Sequence, residues 1–389
     1  MYGPTPATLM LISESLSKHF FNMNPPHFHF IILPLAFFSP IVALSLWGLL
    51  SFFCLILSII LIIKENKFRV TPLRFFTGVL FLLSLACTGT TFVTGQISFL
   101  LLFVFTLAWI EARRGRWSTS AIYVGLMAGI KPFMLIFFPY FLMKRKFRAT
   151  SIACSMCILL TIGGSIFFGW NSYVSWLKSI SQVDWAWLGM NGSIQGVLTR
   201  MFSPTPHFSP IVDIPWLVKP LWYGLAGAIF LLTMRLIMFR FTLSSVDRSF
   251  AFLLLAALLI SPLGWIYYAI LLLGPGSNLI SGWLTHASRV KSELRTNHLS
   301  RICLLFVPSL AMFLPFSVVL LFEPDALATL SLGSAYFWGL FGGWLLLATD
   351  IYTHHESYME DKLEITGVAS NKPEGQSSTG SARRYLHRE

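Results

Sequence analysis

The sequence predicts an all-α polytopic membrane protein, a bundle of about 8–10 transmembrane or half-spanning helices. Three observations point there. Hydrophobic residues make up 55% of the chain and charged residues 11%, far from the balance of a soluble domain. Apolar runs near 31–63, 75–93, 97–110, 149–169, 219–239, 249–273, 302–322 and 332–350 include several long enough to span a bilayer. Lys and Arg collect in the short loops between these runs, as they do on the cytoplasmic side of membrane proteins.

The net charge of +12 therefore reports topology, and no nucleic-acid partner is expected. One membrane domain over 1–350, with an outer loop at about 170–218, accounts for the chain up to a polar Gly/Ser-containing tail. That tail, 351–389, is expected to be disordered in the cytoplasm. Cys54, Cys87, Cys154, Cys157 and Cys303 all fall in apolar segments. Cys154 and Cys157 have the CxxC spacing, but without a second ligand pair they read as packing. His27 and His29 belong to no metal-ligand constellation, so neither a metal nor a cofactor is expected.

Residues 1–30 lack the cationic end and short apolar core of a signal peptide. The basic loop of Lys64, Lys67, Arg69 and Arg74 puts the end of the first long run in the cytoplasm, so the start of the chain falls outside. That arrangement implies a chain that begins late relative to its relatives, or an interfacial helix over 5–17. Asn24 to Phe28 should be extended, because proline disfavours helix for itself and its predecessor. Pro34 and Pro40 delay a straight helix to about residue 39. The run 75–93 returns outward, and Thr94-Gly95-Gln96 turns the chain into 97–110, which descends to Arg113, Arg114 and Arg116.

Residues 117–142 lie between that cluster and a second one, Lys144, Arg145, Lys146 and Arg148. They must enter and leave by one face, turning at Gly129-Ile130-Lys131-Pro132. Each arm of about 11–13 residues is roughly 16–20 Å long, short of a hydrocarbon core about 30 Å thick. The turn should sit within the membrane or just short of its far face. Irregular backbone there must line a cavity or lie in protein, and a lysine there needs an anionic partner. Pro132 suits the first position of the second arm, whose positive end then points toward Lys131.

The run 149–169 crosses outward to 170–218, where Trp170, Trp176, Trp185, Trp187 and Trp216 favour an interface and suggest a lid on the outer surface. Within it, Asn191-Gly192-Ser193 meets the N-glycosylation pattern, which only a eukaryotic secretory setting would use. After 219–239 returns to Arg235, Arg240 and Arg248, residues 249–273 repeat the broken-helix pattern. Its turn is Ser261-Pro262-Leu263-Gly264-Trp265, with Ser261 as cap and Pro262 as first helical residue. Runs 302–322 and 332–350 close the bundle around Glu323 and Asp325.

Helix starts near 97, 132 and 262 thus converge with Lys131 in the outer half of the bilayer. A phosphate suits this arrangement, and a lipid phosphate suits it best, since its head is anionic and its tail dissolves in the membrane. Gln96, Asn191, Arg200, Trp265, Tyr267 and Tyr268 can hold a sugar by stacking and hydrogen bonding. Plainer roles exist for each: a snorkelling lysine, a loop arginine, amides that pair helices, interface aromatics. A transporter or flippase also uses paired broken helices, with inverted repeats and intramembrane carboxylates. Here both bends open to one side and no carboxylate falls inside an apolar run.

Thr94-Gly95-Gln96, Gly125 to Lys131-Pro132, Asn191-x-Ser193 followed by Arg200, and Ser261-Pro262 followed by Trp265-x-Tyr267-Tyr268 resemble the glycosyltransferase 87 family over about residues 25–275. That family is of the GT-C class, similar to polyprenyl-phosphate-mannose-dependent α-mannosyltransferases of bacteria. The resemblance implies an inverting hexosyl transfer, with a polyprenyl-phosphate sugar as donor and a lipid or glycan as acceptor on the outer side of a bacterial plasma membrane. It also implies a GT-C-like bundle, a cytoplasmic C-terminus and an acidic general base on the first outer loop. The family's aspartate lies after a first helix that has no counterpart here, which leaves Asp184 or Glu14 for that role, or a truncated or degenerate member that only binds lipid-linked sugar. Tyr267 stands where the family usually has histidine.

Overall fold

A computed structural model describes residues 23–206, 208–239, 246–289 and 325–365. Helices carry these residues, with no strand among them beyond one isolated bridge. The first, α1 (Pro26–Phe37), is a series of short helical turns. Pro25 is extended at φ −67, ψ 160, but Pro26 takes a first helical position, where its missing N–H has no intrahelical acceptor to lose. The extended stretch expected over 24–28 therefore ends at Pro25. Backbone at Phe38 and Ser39 extends again before Pro40 opens α2 (Pro40–Glu65).

The run expected to return straight through 75–93 is two helices, α3 (Pro72–Ser84) and α4 (Ala86–Val93), meeting at 70° across Leu85. No proline or glycine stands at that break. The turn that follows closes α4 with a Schellman motif. Gly95 N–H donates to the Phe92 carbonyl at 3.3 Å and Gln96 N–H to the Thr91 carbonyl at 2.9 Å. Gly95 sits at φ +63, the left-handed backbone this cap requires. The Trp47 indole then donates to the Gly95 carbonyl at 3.0 Å and fixes the turn to α2.

From there α5 (Ser98–Arg113) and α6 (Trp117–Ile130) form a hairpin, and the second arm of the broken pair is α7 (Pro132–Met143). Next come α8 (Phe147–Phe168), α9 (Trp170–Ser181) and α10 (Ile194–Phe202). The chain continues through α11 (Val218–Phe239), α12 (Val246–Ile260), a 3-10 segment Ile266–Leu272, α13 (Leu273–Arg289) and α14 (Ala335–Ile365). Among the described residues four stretches are long and apolar enough to cross a membrane: Pro40–Glu65, Phe147–Phe168, Pro215–Met238 and Ala326–Tyr352, with α3–α4 a fifth if the bent pair is one span. The protein is a multi-pass membrane protein. Its last helix runs fifteen residues past 350, where the tail was expected to start. Residues 5–17 with Glu14, Cys303, run 302–322 and Glu323 lie outside the described residues.

The core lies around α12. Every residue from Ser249 to Leu259 is buried, as a helix apolar on all sides must be. Phe250 meets Phe137 at 5.1 Å, Phe105 at 5.6 Å and Tyr140 at 6.2 Å between ring centroids, joining α5, α7 and α12. By contrast α8 turns Ile158, Leu159, Ile162, Ile166 and Phe167 outward, the apolar surface a lipid-facing helix needs.

At the end of the bundle opposite the Lys131 turn, several arginines are paired with carboxylates. Arg114 pairs with Glu65 at 2.7 Å, and Arg113 reaches Asp247 at 3.6 Å and Glu65 at 4.0 Å. The Trp109 indole also donates to Asp247, at 2.7 Å. Asp350 is buried and pairs with Arg248 at 2.8 Å. Two carboxylates are thus buried, and Asp350 lies within the Ala326–Tyr352 span, against the expectation that none would. Asp247 stands in the first turn of α12 and Asp350 near the end of the apolar span within α14, and both face arginine.

Candidate active site

Lys131 breaks the chain between α6 and α7. Its backbone is extended at φ −130, ψ 99, because Pro132 follows and disfavours helix for its predecessor. Pro132 then opens a short 3-10 turn, Pro132–Ile136, that runs into regular helix. The Lys131 ammonium lies over the Tyr268 ring, 5.5 Å from its centroid. Phe133 packs on the same tyrosine at 4.9 Å. Among the described residues no carboxylate pairs with Lys131. An aromatic face is a weak partner for a cation and leaves its N–H donors available for an anion.

The segment carrying Tyr268 also packs against α4, α5 and α12. Since α5 and α6 run antiparallel with similar lengths, the start of α5 stands at the level of Lys131. Ser98, the first residue of α5, is fully buried, and its hydroxyl has no hydrogen-bond partner among the described residues. Gln96 is partly exposed just before it. Two of the three expected helix starts, at 98 and 132, fall where the sequence placed them. The third moves. Pro262 stays in a loop and helical backbone resumes at Ile266, after an extended Trp265.

The cause of that shift is Asn191. Its amide nitrogen donates to the carbonyls of Pro262 and Ala186, each at 3.0 Å. Its side-chain oxygen accepts from Gly264 N–H at 2.9 Å and Ser193 N–H at 3.1 Å. Backbone rungs flank it, Gly192 N–H to the Gly264 carbonyl at 2.9 Å and Ile266 N–H to the Met190 carbonyl at 3.1 Å. With the Pro262 carbonyl and the Gly264 N–H occupied from outside, the turn cannot close into a helix. Asn191 is fully buried with all four hydrogen-bonding positions filled, so it has none left for a sugar and no surface for a glycan.

Arg200 is likewise internal. Its guanidinium donates to the carbonyls of Trp187 at 3.3 Å, Leu188 at 3.0 Å and Asn191 at 3.3 Å, and to the Ser334 hydroxyl at 3.2 Å. Burial pushes it down to about 9, still charged at neutral pH, with backbone oxygens balancing the charge. The stretch 170–218 is therefore not only a surface lid: residues 191–200 are drawn into the bundle by these bonds. Asp184, in contrast, is exposed at the start of the Trp185–Trp187 turn on the same loop. Trp265 and Tyr267 stack on each other at 6.0 Å and are nearly buried.

The structure thus brings Lys131 and Tyr268 together, with Gln96 and Ser98 at the same level, and turns Asn191 and Arg200 into supports for the loop that carries Asp184. Ser98 was legible only as a small polar residue after the Gly95 turn. No group of His, Cys, Asp and Glu suited to a metal occurs among the described residues. The family profile of glycosyltransferase family 87 matches residues 22–263, well over half the chain, including the whole Lys131 bend. The chain belongs to glycosyltransferase family 87. No curated protein and no solved structure matches it. As a family 87 member it is a membrane glycosyltransferase, and the family match ends within the turn that Asn191 pins.

Proposed function

We propose that this glycosyltransferase moves a hexose, mannose in the simplest case, from a polyprenyl-phosphate sugar to a lipid or glycan acceptor on the outer side of a bacterial plasma membrane, with the C-terminus cytoplasmic. One observation carries the proposal: Lys131 has no anionic partner among the described residues, at a helix break walled by Tyr268 and Phe133. A buried or half-buried cation without a counter-charge is costly, and a lipid phosphate supplies one from within the membrane.

In the reaction the acceptor hydroxyl gives its proton to a carboxylate, Asp184 among the described residues. Its oxygen attacks the anomeric carbon from the face opposite the phosphate. The bond from that carbon to the phosphate oxygen breaks, and the electron pair leaves on polyprenyl phosphate. Negative charge grows on the leaving group, and Lys131, preorganised by the bend, stabilises it more in the transition state than in the ground state. Inversion follows from the single displacement. No cofactor enters.

Purified protein given radiolabelled polyprenyl-phosphate mannose and membrane lipids should produce a labelled glycolipid, and Lys131→Ala should lower its formation by about 10²–10³ with helicity unchanged. Label that crosses a vesicle membrane without a new glycosidic bond would replace transfer with transport.

A further inference from the structure

Two residues before Lys131, the carbonyl of Gly129 lies in the last turn of α6, where a helix leaves its carbonyls without intrahelical donors. It accepts from Nε2 of His27 at 2.9 Å. A carbonyl only accepts, so Nε2 carries the proton. The other ring nitrogen, Nδ1, lies 2.9 Å from the hydroxyl of Tyr173 on α9, and both side chains are buried. The same hydroxyl is 3.2 Å from the Thr161 carbonyl on α8. With neutral imidazole, Tyr173 donates to Nδ1. With imidazolium, Nδ1–H donates to Tyr173, which donates to Thr161. The link holds in either state.

Its surroundings are built for it. A Cβ at Gly164 of α8 would stand 2.3 Å from the Tyr173 hydroxyl and 2.8 Å from the His27 Cβ, so only glycine leaves the ring its place. The Trp176 indole, also on α9, donates to the Met23 carbonyl at 3.1 Å and holds the chain just ahead of His27. One imidazole therefore ties the amphipathic α9, whose Trp170 and Leu177 face outward, to the backbone that aims Lys131.

We propose that His27 is a positioning residue for Lys131: it caps the end of α6 from outside the helix and fixes the bend from which the lysine meets a phosphate. This rests on Lys131 being the phosphate-binding cation. Glutamine places a donor where Nε2 stands, and asparagine places its polar group nearer Nδ1, so the two substitutions separate the Gly129 contact from the Tyr173 contact.

The test uses full-length protein in lipid nanodiscs. Amide hydrogen exchange over 131–134 should speed up roughly tenfold in His27→Asn and return to within about twofold of wild type in His27→Gln. In the transfer assay, His27→Asn should lower kcat roughly tenfold with little change in donor KM, and His27→Gln should restore it. Equal behaviour of the two variants, or unchanged exchange in His27→Asn, overturns the proposal. Should His27→Asn fail to fold, His27→Leu, which fills the space but offers Gly129 no donor, takes its place: faster exchange at 131–134 supports the cap, and unchanged exchange overturns it. The exchange measurement needs no substrate, so wild-type protein that performs no transfer counts against the reading of Lys131 and leaves the role of His27 to be decided separately.

Discussion

The two bends of this bundle, at Lys131 and at Ser261–Trp265, are built from the same ingredients and end in opposite states. Each interrupts an apolar run with a proline at the turn. At the first, the charged group meets an aromatic face and no counter-ion among the described residues. At the second, Asn191 reaches in from another segment and satisfies the exposed backbone groups on both sides. A polar group left incomplete inside a bundle carries a free-energy penalty that a ligand can remove, whereas a completed one holds the scaffold. The difference teaches that similar bends can end with their polar groups completed from within the protein, as the second does, or with a cation left on an aromatic face, as the first does.

The comparison can be broken most forcefully at the loop the second bend holds. Asp184→Asn should cut transfer by about 10²–10⁴ if that carboxylate is the general base, with thermal stability unchanged because the side chain is exposed. Equal rates in wild type and variant, measured as labelled product per minute, would remove Asp184 from the mechanism. Lys131→Ala should lower turnover by about 10²–10³, the effect of losing one preorganised charge contact. Its melting temperature in detergent should match wild type or exceed it, since an incompletely paired cation is removed.

Asn191→Ala should behave in the opposite sense. It strips partners from the Pro262 carbonyl and Gly264 N–H, and should cost about 2–4 kcal/mol of stability, seen as a lower melting midpoint with donor affinity retained in the molecules still folded. Loss of activity without loss of stability would mean that Asn191 touches substrate after all. The smallest effect is expected at Tyr268→Leu. Losing about 1 kcal/mol of cation–π contact to Lys131 should weaken donor binding roughly fivefold in a titration with polyprenyl phosphate.

Local signals carried over well where the cause was local. Pro132 forces Lys131 out of helix wherever the segment lies, and Gly95 ends α4 because its backbone reaches the left-handed region. Pro262 failed as a helix start although Ser261 precedes it, because the deciding bonds come from Asn191, 71 residues earlier in the chain. Arg200 looked like a loop charge open to a substrate for the same reason: nothing beside it in sequence announces the carbonyls of 187–191 or Ser334 folding around it. His27 fits no metal-ligand pattern, and its partners, Gly129 and Tyr173, lie more than a hundred residues away in the chain.

By itself, then, the order of residues determined that this chain is a helical membrane protein, where its apolar runs break, and that a lysine stands at one of the breaks. Periodicity, proline and charge act over a few neighbours, so they can be read one stretch at a time. Which polar groups end up satisfied was decided only when distant helices met. Burial makes an unfilled hydrogen bond expensive, but the partner that fills it is chosen by packing, and only packing separates Asn191, complete within the protein, from Lys131, which meets an aromatic face and no carboxylate among the described residues.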